Sequence, residues 1–377
     1  MNSRIWLSSP HLSGNEMKYI EDAFEKNWIT SIGENINLFE HDIKVFLKQD
    51  LFVAALNSCS AALHLALIEC GVEYGDEVIC QSMTFSASAN PITYCRATPV
   101  FVDSEPDTWN ICPIALEEAI IDRISKGTKP KAIITVHLYG MPYKVEEVHA
   151  VANKYDISII EDAAEALGST YKNKAIGTFG RFGTISFNGN KIITTSGGGA
   201  LICQSKKEKE RVVFLATQAR DDAPHYQHSN IGYNYRMSNI VAGIGRGQME
   251  VLEDRINARR AMNNFYQDLF ADINGVEVFK EPSTDFYSNH WLSAILIDSK
   301  VTGKTREDLR LAFLEDNIES RPLWKPMHLQ PIFKNSPYYG SNVSEKLFEN
   351  GLCLPSGSNL TNQDRSRISK VVLEFFK

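Results

Sequence analysis

The sequence predicts an α/β protein built on a mostly parallel β-sheet, with a smaller α+β unit after it. Short apolar runs at 52–56, 77–80, 99–102, 132–136 and 157–160 alternate with segments of helical spacing. Strands that are apolar throughout are typical of a parallel sheet covered by helices on both faces. The 377 residues exceed the size at which a single core stops growing, so two structural units are expected.

The pattern changes near residue 245, beyond the last strand predicted for this sheet. A long charged helix is predicted from Gln248 towards Phe270, and a strand and two helices are expected beyond it. These later elements are predicted at 291–297, 305–317 and 363–376. The expected division is a large domain with an N-terminal arm at 1–245, and a connecting helix with a small α+β domain at 246–377.

Composition and charge exclude several classes of protein. The chain is 43% hydrophobic and 23% charged, as globular proteins are, and its net charge of −7 argues against a nucleic-acid partner. Its seven cysteines are scattered without a Cys-x-x-Cys pair, which fits a reducing compartment and predicts no structural zinc or other metal site. No signal peptide or membrane-length apolar run is apparent, so a cytoplasmic protein without a membrane partner is expected.

A lysine and an aspartate form the centre of the candidate site. Lys191 lies in a backbone-permissive stretch that starts at Ser186 and ends in the glycine run 197–199. Asp162 closely follows a predicted buried strand and should lie at the carboxyl edge of the sheet, where open α/β folds bind ligands. A lysine for a Schiff base and an acid for a pyridine nitrogen together suggest pyridoxal phosphate (PLP). The alternatives are a solvated surface lysine and an aspartate that caps a helix starting near Ala163.

Two segments after predicted strands extend this site. Asn-Ser-Cys-Ser at 57–60 joins a strand to a helix, where free backbone N–H groups favour an anion such as phosphate. The alternative is an ordinary helix cap by Ser58 or Ser60. Phe85 lies just after another strand and could stack on an aromatic ring, or it could pack in the core as most such side chains do.

Two polar segments are further candidate ligand sites, and a glycine-rich segment has only a superficial likeness to one. The segment 321–328 contains Arg321, Trp324, Lys325 and His328, and it suits a sugar-nucleotide or amino-acid donor, or else forms a solvated surface loop. The segment 232–238 is dense in polar side chains, with a structured surface turn as the alternative. The glycine-rich segment 177–183 superficially resembles a dinucleotide loop, but it precedes its strand, so that interpretation is rejected.

Taken in order, three motifs resemble those of the DegT/DnrJ/EryC1/StrS family of sugar-nucleotide aminotransferases. They are Glu-Asp-Ala-Ala-Glu at 161–165, Ser-Phe-x-x-x-Lys at 186–191 and Gly-Tyr-Asn-Tyr-Arg at 232–236. The resemblance covers nearly the whole chain. It implies the fold-type I, aspartate-aminotransferase-like fold, with a mostly parallel sheet of the seven-stranded type and PLP as cofactor.

The resemblance implies roles for the residues around the cofactor ring. Lys191 would form the Schiff base and then move a proton between the donor carbon and the cofactor. Asp162 would pair with the pyridinium nitrogen, and Phe85 would stack on the ring. Glu165 would contact the ring hydroxyl, although many relatives have glutamine at that position.

Further residues are assigned by the same resemblance to the phosphate and the substrate. Ser60, Ser186 and the backbone N–H of Cys59 would hold the phosphate, and Asn234 would reach the phosphate of a neighbouring subunit. A homodimer with a shared active site is therefore expected. Arg236 is the best candidate for the donor carboxylate, while Asn188, Arg321 and His328 are expected to bind substrate.

The expected reaction moves an amino group from L-glutamate to C4 of UDP-2-acetamido-2,6-dideoxy-4-ketohexose, as in bacillosamine-type pathways. The segments 188–199 and 321–328 resemble that branch of the family most closely. Lys191 is present, and this favours transamination over the dehydratase chemistry of members that have lost the lysine. Alternatives are amination at C3, a dTDP- or GDP-linked keto sugar, and a PLP-fold protein that binds a nucleotide sugar or a regulatory partner without catalysis. The sequence identifies neither the nucleotide base nor the stereochemistry of the new amine.

Overall fold

A computed structural model describes residues 3–377 of the chain. The strands are β1 Phe52–Leu56, β2 Glu77–Gln81, β3 Thr98–Val102, β4 Ala132–Val136, β5 Ser158–Asp162, β6 Thr170–Tyr171, β7 Lys174–Ala175, β8 Phe182–Ser186, β9 Gly199–Cys203, β10 Val276–Val278, β11 Phe286–Tyr287, β12 Ser293–Ile297, β13 Arg321–Pro322, β14 Tyr338–Tyr339 and β15 Gly351–Leu354. The α-helices are α1 Glu16–Glu25, α2 Glu34–Leu47, α3 Cys59–Glu69, α4 Ser86–Tyr94, α5 Pro113–Ser125, α6 Val145–Lys154, α7 Lys206–Ala216, α8 Asn239–Met249, α9 Leu252–Phe270, α10 Ser299–Thr302, α11 Arg306–Glu315, α12 Val343–Asn350 and α13 Asn362–Phe375. Short 3₁₀ turns occur at Leu138–Gly140, Met327–Leu329 and Pro331–Phe333.

The predicted mostly parallel sheet is confirmed, with eight strands in the order β1-β9-β8-β5-β4-β2-β3-β14. Strand β9 runs antiparallel to both of its neighbours, and the other pairs are parallel. Seven of these strands form the expected seven-stranded sheet, and the two-residue β14 adds an eighth strand at one edge. The carboxyl ends of β5 and β8 lie side by side, which brings Asp162 next to Thr184 in the ladder.

The apolar runs of this sheet are explained by burial on both faces. Neighbouring residues of one strand, Ile133 and Ile134, belong to different core clusters, as do Ile159 and Ile160. Helices α3 and α7 contribute to the first cluster, and α5 and α6 to the second. Helix α3 is buried over most of its length because it is apolar on all sides.

A second core surrounds the antiparallel sheet β10-β12-β15-β13. Helices α9, α11 and α13 pack on it, and Ile5 of the N-terminal arm joins the same cluster beside Ile318. Strand β14, by contrast, lies late in the chain yet pairs with the large sheet. The division of the chain at residue 245 stays a prediction.

Two helix starts differ from the sequence analysis. The long charged helix predicted from Gln248 towards Phe270 is α9, but it begins at Leu252, and Gln248 belongs to the end of a separate helix, α8, which closes at Met249. The Gln248 amide holds the end of α8 by donating to Glu16 and accepting from the Thr194 N–H. No helix starts near Ala163, since β5 runs through Asp162 into a series of turns. None of the helices within residues 3–377 has both the length and the apolar character needed to cross a bilayer.

Candidate active site

A cavity of about 540 Å³ opens at the carboxyl ends of β5 and β8, beside the N-terminus of α3. Most of the predicted site residues line it. These are Cys59, Ser60, Phe85, Asp162, Glu165, Ser186, Asn188, Lys191 and Arg321. Segments far apart in the sequence therefore meet at the sheet edge where the fold class places a ligand.

Lys191 is buried in the wall of this cavity. Its side chain is 11% exposed, and its Nζ lies 3.2 Å from Glu165 Oε1. The same nitrogen lies 4.2 Å from the centroid of the Trp291 ring, which the sequence analysis did not assign to the site. The interpretation of Lys191 as a solvated surface residue is therefore wrong.

Asp162 ends β5 and is held by its neighbours in a fixed position. Its Oδ2 accepts a hydrogen bond of 2.6 Å from the Ser88 hydroxyl, and its Oδ1 accepts the Ala164 N–H at 3.1 Å. The Cys59 thiol lies 4.0 Å from Oδ1. Burial raises the pKa of that thiol well above its usual range, so Cys59 stays neutral beside the carboxylate.

Glu165 lies on a turn just beyond β5. Its Oε2 accepts the backbone N–H of Tyr139 at 2.8 Å, while Oε1 faces Lys191. Burial raises the pKa of the Glu165 carboxyl to about 7, against the opposing effect of the Lys191 charge. This carboxyl can therefore exchange a proton near neutral pH.

The N-terminus of α3 offers the N–H donors of an anion-binding site, which we call the phosphate seat. The Ser58 hydroxyl caps the helix by accepting the Ala61 N–H at 3.1 Å, so Ser58 and not Ser60 is the cap. The N–H groups of Cys59 and Ser60 have no partner within the helix, because they belong to its first turn. With the Ser186 hydroxyl in the same cavity, this donor set fits a phosphate, and the neighbouring amine and carboxylate fit the rest of PLP.

An aromatic wall closes another side of the cavity. Phe85 is 58% exposed at the start of α4, and its ring centroid lies 5.7 Å from that of Trp324. The alternative that Phe85 packs in the core is therefore wrong. Trp324 also packs against Tyr139 and Trp291, so the wall continues to the ring beside Lys191.

The structure does not bring three of the predicted residues to the cavity. Arg236 is buried in an ion pair of 2.5 Å with Glu40, and it also donates to the Ala55 carbonyl. His328 lies between Ser82, at 2.6 Å, and Glu345, at 3.2 Å. The Nη1 atom of Arg236 and both ring nitrogens of His328 have partners in these contacts, so the roles of Arg236 and His328 towards substrate stay predictions.

Asn234 is likewise outside the cavity. It is exposed, and its backbone carbonyl accepts a hydrogen bond of 3.0 Å from the Asn57 amide. The glycine-rich loop at 177–183 also has an internal function. The N–H groups of Gly177 and Gly180 bind the Glu161 carboxylate at 3.0 and 2.6 Å, which agrees with the rejection of a dinucleotide loop.

A buried lysine, a buried aspartate and a phosphate seat at the edge of such a sheet define a PLP-dependent enzyme of fold-type I. The chain belongs to the DegT/DnrJ/EryC1/StrS aminotransferase family, whose sequence model matches residues 10–373.

Relatives agree with this assignment. EpsN of Bacillus subtilis (strain 168), named provisionally as a PLP-dependent aminotransferase, is 48% identical over 382 residues, covering 100% of this chain and 97% of EpsN. The GDP-perosamine synthase of Escherichia coli O157:H7 is 38% identical over 375 residues, covering 99% of this chain and 98% of that protein. The solved PLP form of Spr1654 from Streptococcus pneumoniae, provisionally named a sugar aminotransferase, matches this structure with a TM-score of 0.89 at 26% sequence identity. The match covers 100% of this chain and 100% of Spr1654. The protein is a PLP-dependent sugar aminotransferase.

Proposed function

We propose that the protein transfers an amino group from L-glutamate to C4 of a UDP-linked 4-keto-6-deoxy-N-acetylhexosamine. The product would be a UDP-4-amino-4,6-dideoxy sugar for a surface polysaccharide or glycan. The observation that carries the reaction is the buried Lys191 amine, 3.2 Å from a carboxyl and in the same cavity as Asp162 and the phosphate seat.

The residues of the cavity divide the work of such a transfer. PLP, when bound, supplies the carbonyl that takes up the amine and a ring that withdraws electrons. The N–H groups of Cys59 and Ser60 would hold the phosphate of PLP. Asp162, fixed by the Ser88 hydroxyl, would keep the pyridine nitrogen of PLP protonated.

Proton movement falls to Lys191 and its neighbours. Lys191 Nζ would move a proton between the donor carbon and the cofactor, as a positioned base does. Glu165 Oε1 is 3.2 Å from that nitrogen and is the nearest carboxyl able to hold the proton between the two steps. Trp291 covers the amine and keeps water away from it.

Two acceptors are supported by different observations. The UDP-linked sugar is supported by the resemblance of the segments 188–199 and 321–328 to that branch of the family. A GDP-linked 4-keto sugar is the second candidate, because the Escherichia coli relative at 38% identity is named for GDP-perosamine. Arg321 reaches the rim of the cavity with a side chain that is 67% exposed, where either diphosphate could meet it.

We also propose a homodimer in which Asn234 of a second copy completes the phosphate site. Exposed apolar side chains support an interface, since patches of this kind mark association surfaces. Helix α1 and the loop after it expose Met17 (57%), Phe24 (57%), Trp28 (46%) and Ile32 (66%). Light scattering would show a single monomeric mass if this proposal is wrong.

The deciding experiment incubates the purified protein with PLP, L-glutamate and UDP-2-acetamido-2,6-dideoxy-4-ketoglucose, followed by mass spectrometry. A new UDP-amino sugar that is absent with Lys191→Ala would support the proposal. Turnover of a GDP-linked keto sugar alone would keep the chemistry and replace the acceptor. If glutamate fails to convert the cofactor to its amine form, amino transfer from glutamate is excluded.

A further inference from the structure

A second recess lies behind the part of the cavity wall that contains Arg321. Its volume is about 300 Å³, and Glu319, Arg321 and Pro322 line both the recess and the larger cavity. Arg4 of the N-terminal arm and Arg310 of α11 also line it. Three guanidinium groups and one carboxylate therefore face this small space.

Two polar groups of the recess have unused hydrogen-bonding capacity. The Arg4 Nη1 donates to Asn317 Oδ1 at 3.0 Å, but its Nε is buried without a partner. No carboxylate within residues 3–377 lies at ion-pair distance from Arg4. Ser320 is only 6% exposed, and its hydroxyl also has no hydrogen-bond partner. Because buried polar groups are normally paired, both point to acceptor atoms supplied by a ligand.

The other two arginines are held in place by carboxylates. Arg310 Nη2 lies 2.6 Å from Glu307 Oε1, and Arg321 Nη2 lies 2.8 Å from Glu319 Oε1. The second oxygen of Glu319 accepts the Leu7 N–H at 3.1 Å, so both of its oxygens are engaged. These pairs orient the guanidinium groups and leave further N–H donors free for an anion.

We propose that this recess, through Arg4, Arg310, Ser320 and Arg321, binds an oxyanion group of the substrate, foremost the diphosphate of the nucleotide sugar. The inference rests on the proposed function, which brings such a diphosphate to the rim at Arg321. Arginine forks bind phosphate oxygens in pairs. A chain with a net charge of −7 also needs a local basic site to attract an anionic substrate. The second source of the same chemistry is the side-chain carboxylate of glutamate.

The test measures binding of inorganic pyrophosphate to the PLP-loaded protein by calorimetry, with no turnover required. Arg4→Gln and Arg310→Gln are expected to weaken binding roughly tenfold, since each removes a charge-assisted contact. Ser320→Ala is expected to weaken it less, and it breaks no hydrogen bond within the protein. Arg306→Gln is the matched control, because Arg306 is on the same helix and contacts Glu307 at 3.4 Å but does not line the recess.

A second arm titrates L-glutamate and follows the absorbance of the cofactor. If the recess variants require roughly tenfold more glutamate but bind pyrophosphate like the unchanged protein, the oxyanion is the donor carboxylate. If the variants match Arg306→Gln in both arms, the proposal is overturned. Pyrophosphate binding needs no keto sugar. Failure of the amination assay would therefore contradict the proposed function without affecting the measured affinity for pyrophosphate.

Discussion

At the scale of single residues, the position of Asp162 depends on a serine that has no role of its own in the chemistry. The Ser88 hydroxyl donates to Asp162 Oδ2 at 2.6 Å, and both side chains are buried. A hydrogen bond to a charged group contributes about 1.5–3 kcal/mol. Ser88 is therefore a positioning residue, which would keep the carboxylate of Asp162 oriented for its proposed contact with the ring nitrogen.

We predict that Ser88→Ala weakens PLP binding roughly tenfold, because the carboxylate loses the hydroxyl that orients it. Fluorescence titration of the apoprotein with PLP measures this. Ser86→Ala is the control, since Ser86 starts the same helix but does not line the cavity. Equal affinity of the two variants would contradict the assignment.

The Glu165 carboxyl makes stability depend on pH in the protein without cofactor. Its pKa is raised from 4.5 to about 7, mainly by burial, so the folded state holds this proton more tightly than the unfolded chain does. Between these two pH values the free energy of unfolding should fall as the pH rises. The contribution of this one group amounts to about 3 kcal/mol across that window.

Glu165→Gln is expected to remove this slope. Urea unfolding at pH 5 and pH 8 should show the variant gaining about 3 kcal/mol relative to the unchanged apoprotein as the pH rises. Glu21→Gln, at an exposed position of α1, should leave the slope as it is. If Glu165→Gln keeps the same dependence on pH as Glu21→Gln, Glu165 does not carry the extra proton.

The sequence was sufficient to predict that Lys191 and Asp162 meet in one cavity, and insufficient for the residues that hold them in position. Lys191 and Asp162 each lie next to a predicted strand end, and a parallel sheet brings such ends together. Ser88 contacts Asp162 across 74 residues, so no local pattern indicates the contact. Arg236 shows the converse, because a polar motif cannot reveal that Glu40 has already paired with its guanidinium.

At the scale of elements, the phosphate seat depends on the close approach of β9 to the start of α3. A Cβ atom added at Gly199 would lie 2.4 Å from the Cys59 nitrogen and 2.4 Å from the Ser58 carbonyl carbon. Both are backbone atoms, so a side chain there would force the strand and the helix apart. The glycine run was predicted as part of the site, but its contact with this helix required the sheet order.

We predict that Gly199→Ala weakens PLP binding more than tenfold and lowers the free energy of unfolding by about 1–3 kcal/mol, the usual cost of overpacking. Titration with PLP and urea unfolding measure the two effects. Gly189→Ala is the matched control on the neighbouring loop, where a Cβ would meet no atom within 4 Å. Normal PLP affinity in Gly199→Ala would show that the seat tolerates a shifted helix.

Helix boundaries show where sequence patterns are limited at this scale. The charged pattern continues through Glu250 and Val251, so it predicts a helix that starts at Gln248, whereas α8 ends at Met249 and α9 begins at Leu252. The break depends on tertiary contacts. The side chains of Asn15 and Tyr19 both donate to Glu250, and Gln248 binds the arm, so α8 stays with α1 while α9 turns towards the small sheet.

At the scale of the whole molecule, one buried arginine connects the N-terminal arm, the loop that contains Lys191 (the lysine loop) and the region of the four-stranded sheet β10-β12-β15-β13 (the small sheet). Arg259 is 1% exposed on α9, and its guanidinium donates to Ser8 Oγ at 2.9 Å, Lys191 O at 3.4 Å and Ser356 O at 3.3 Å. It also donates to the carbonyl of Trp291. All four acceptors are neutral, and burial lowers the pKa of Arg259. The charge therefore costs stability that the hydrogen bonds must offset.

These opposing effects predict a specific outcome for Arg259→Met. Removing the buried charge offsets much of the loss of four hydrogen bonds at about 1 kcal/mol each, so global stability should change by less than about 2 kcal/mol. The arm, the lysine loop and the segment near Ser356 should, however, no longer be held together by hydrogen bonds. Hydrogen exchange of the holoenzyme should speed up in the arm, at 190–192 and near Ser356.

Arg260→Met is the control. Arg260 is on the same helix as Arg259, is 28% exposed and pairs with Glu281, so its loss should leave those segments protected. Unchanged exchange in Arg259→Met would mean that packing alone holds the lysine loop against the small sheet.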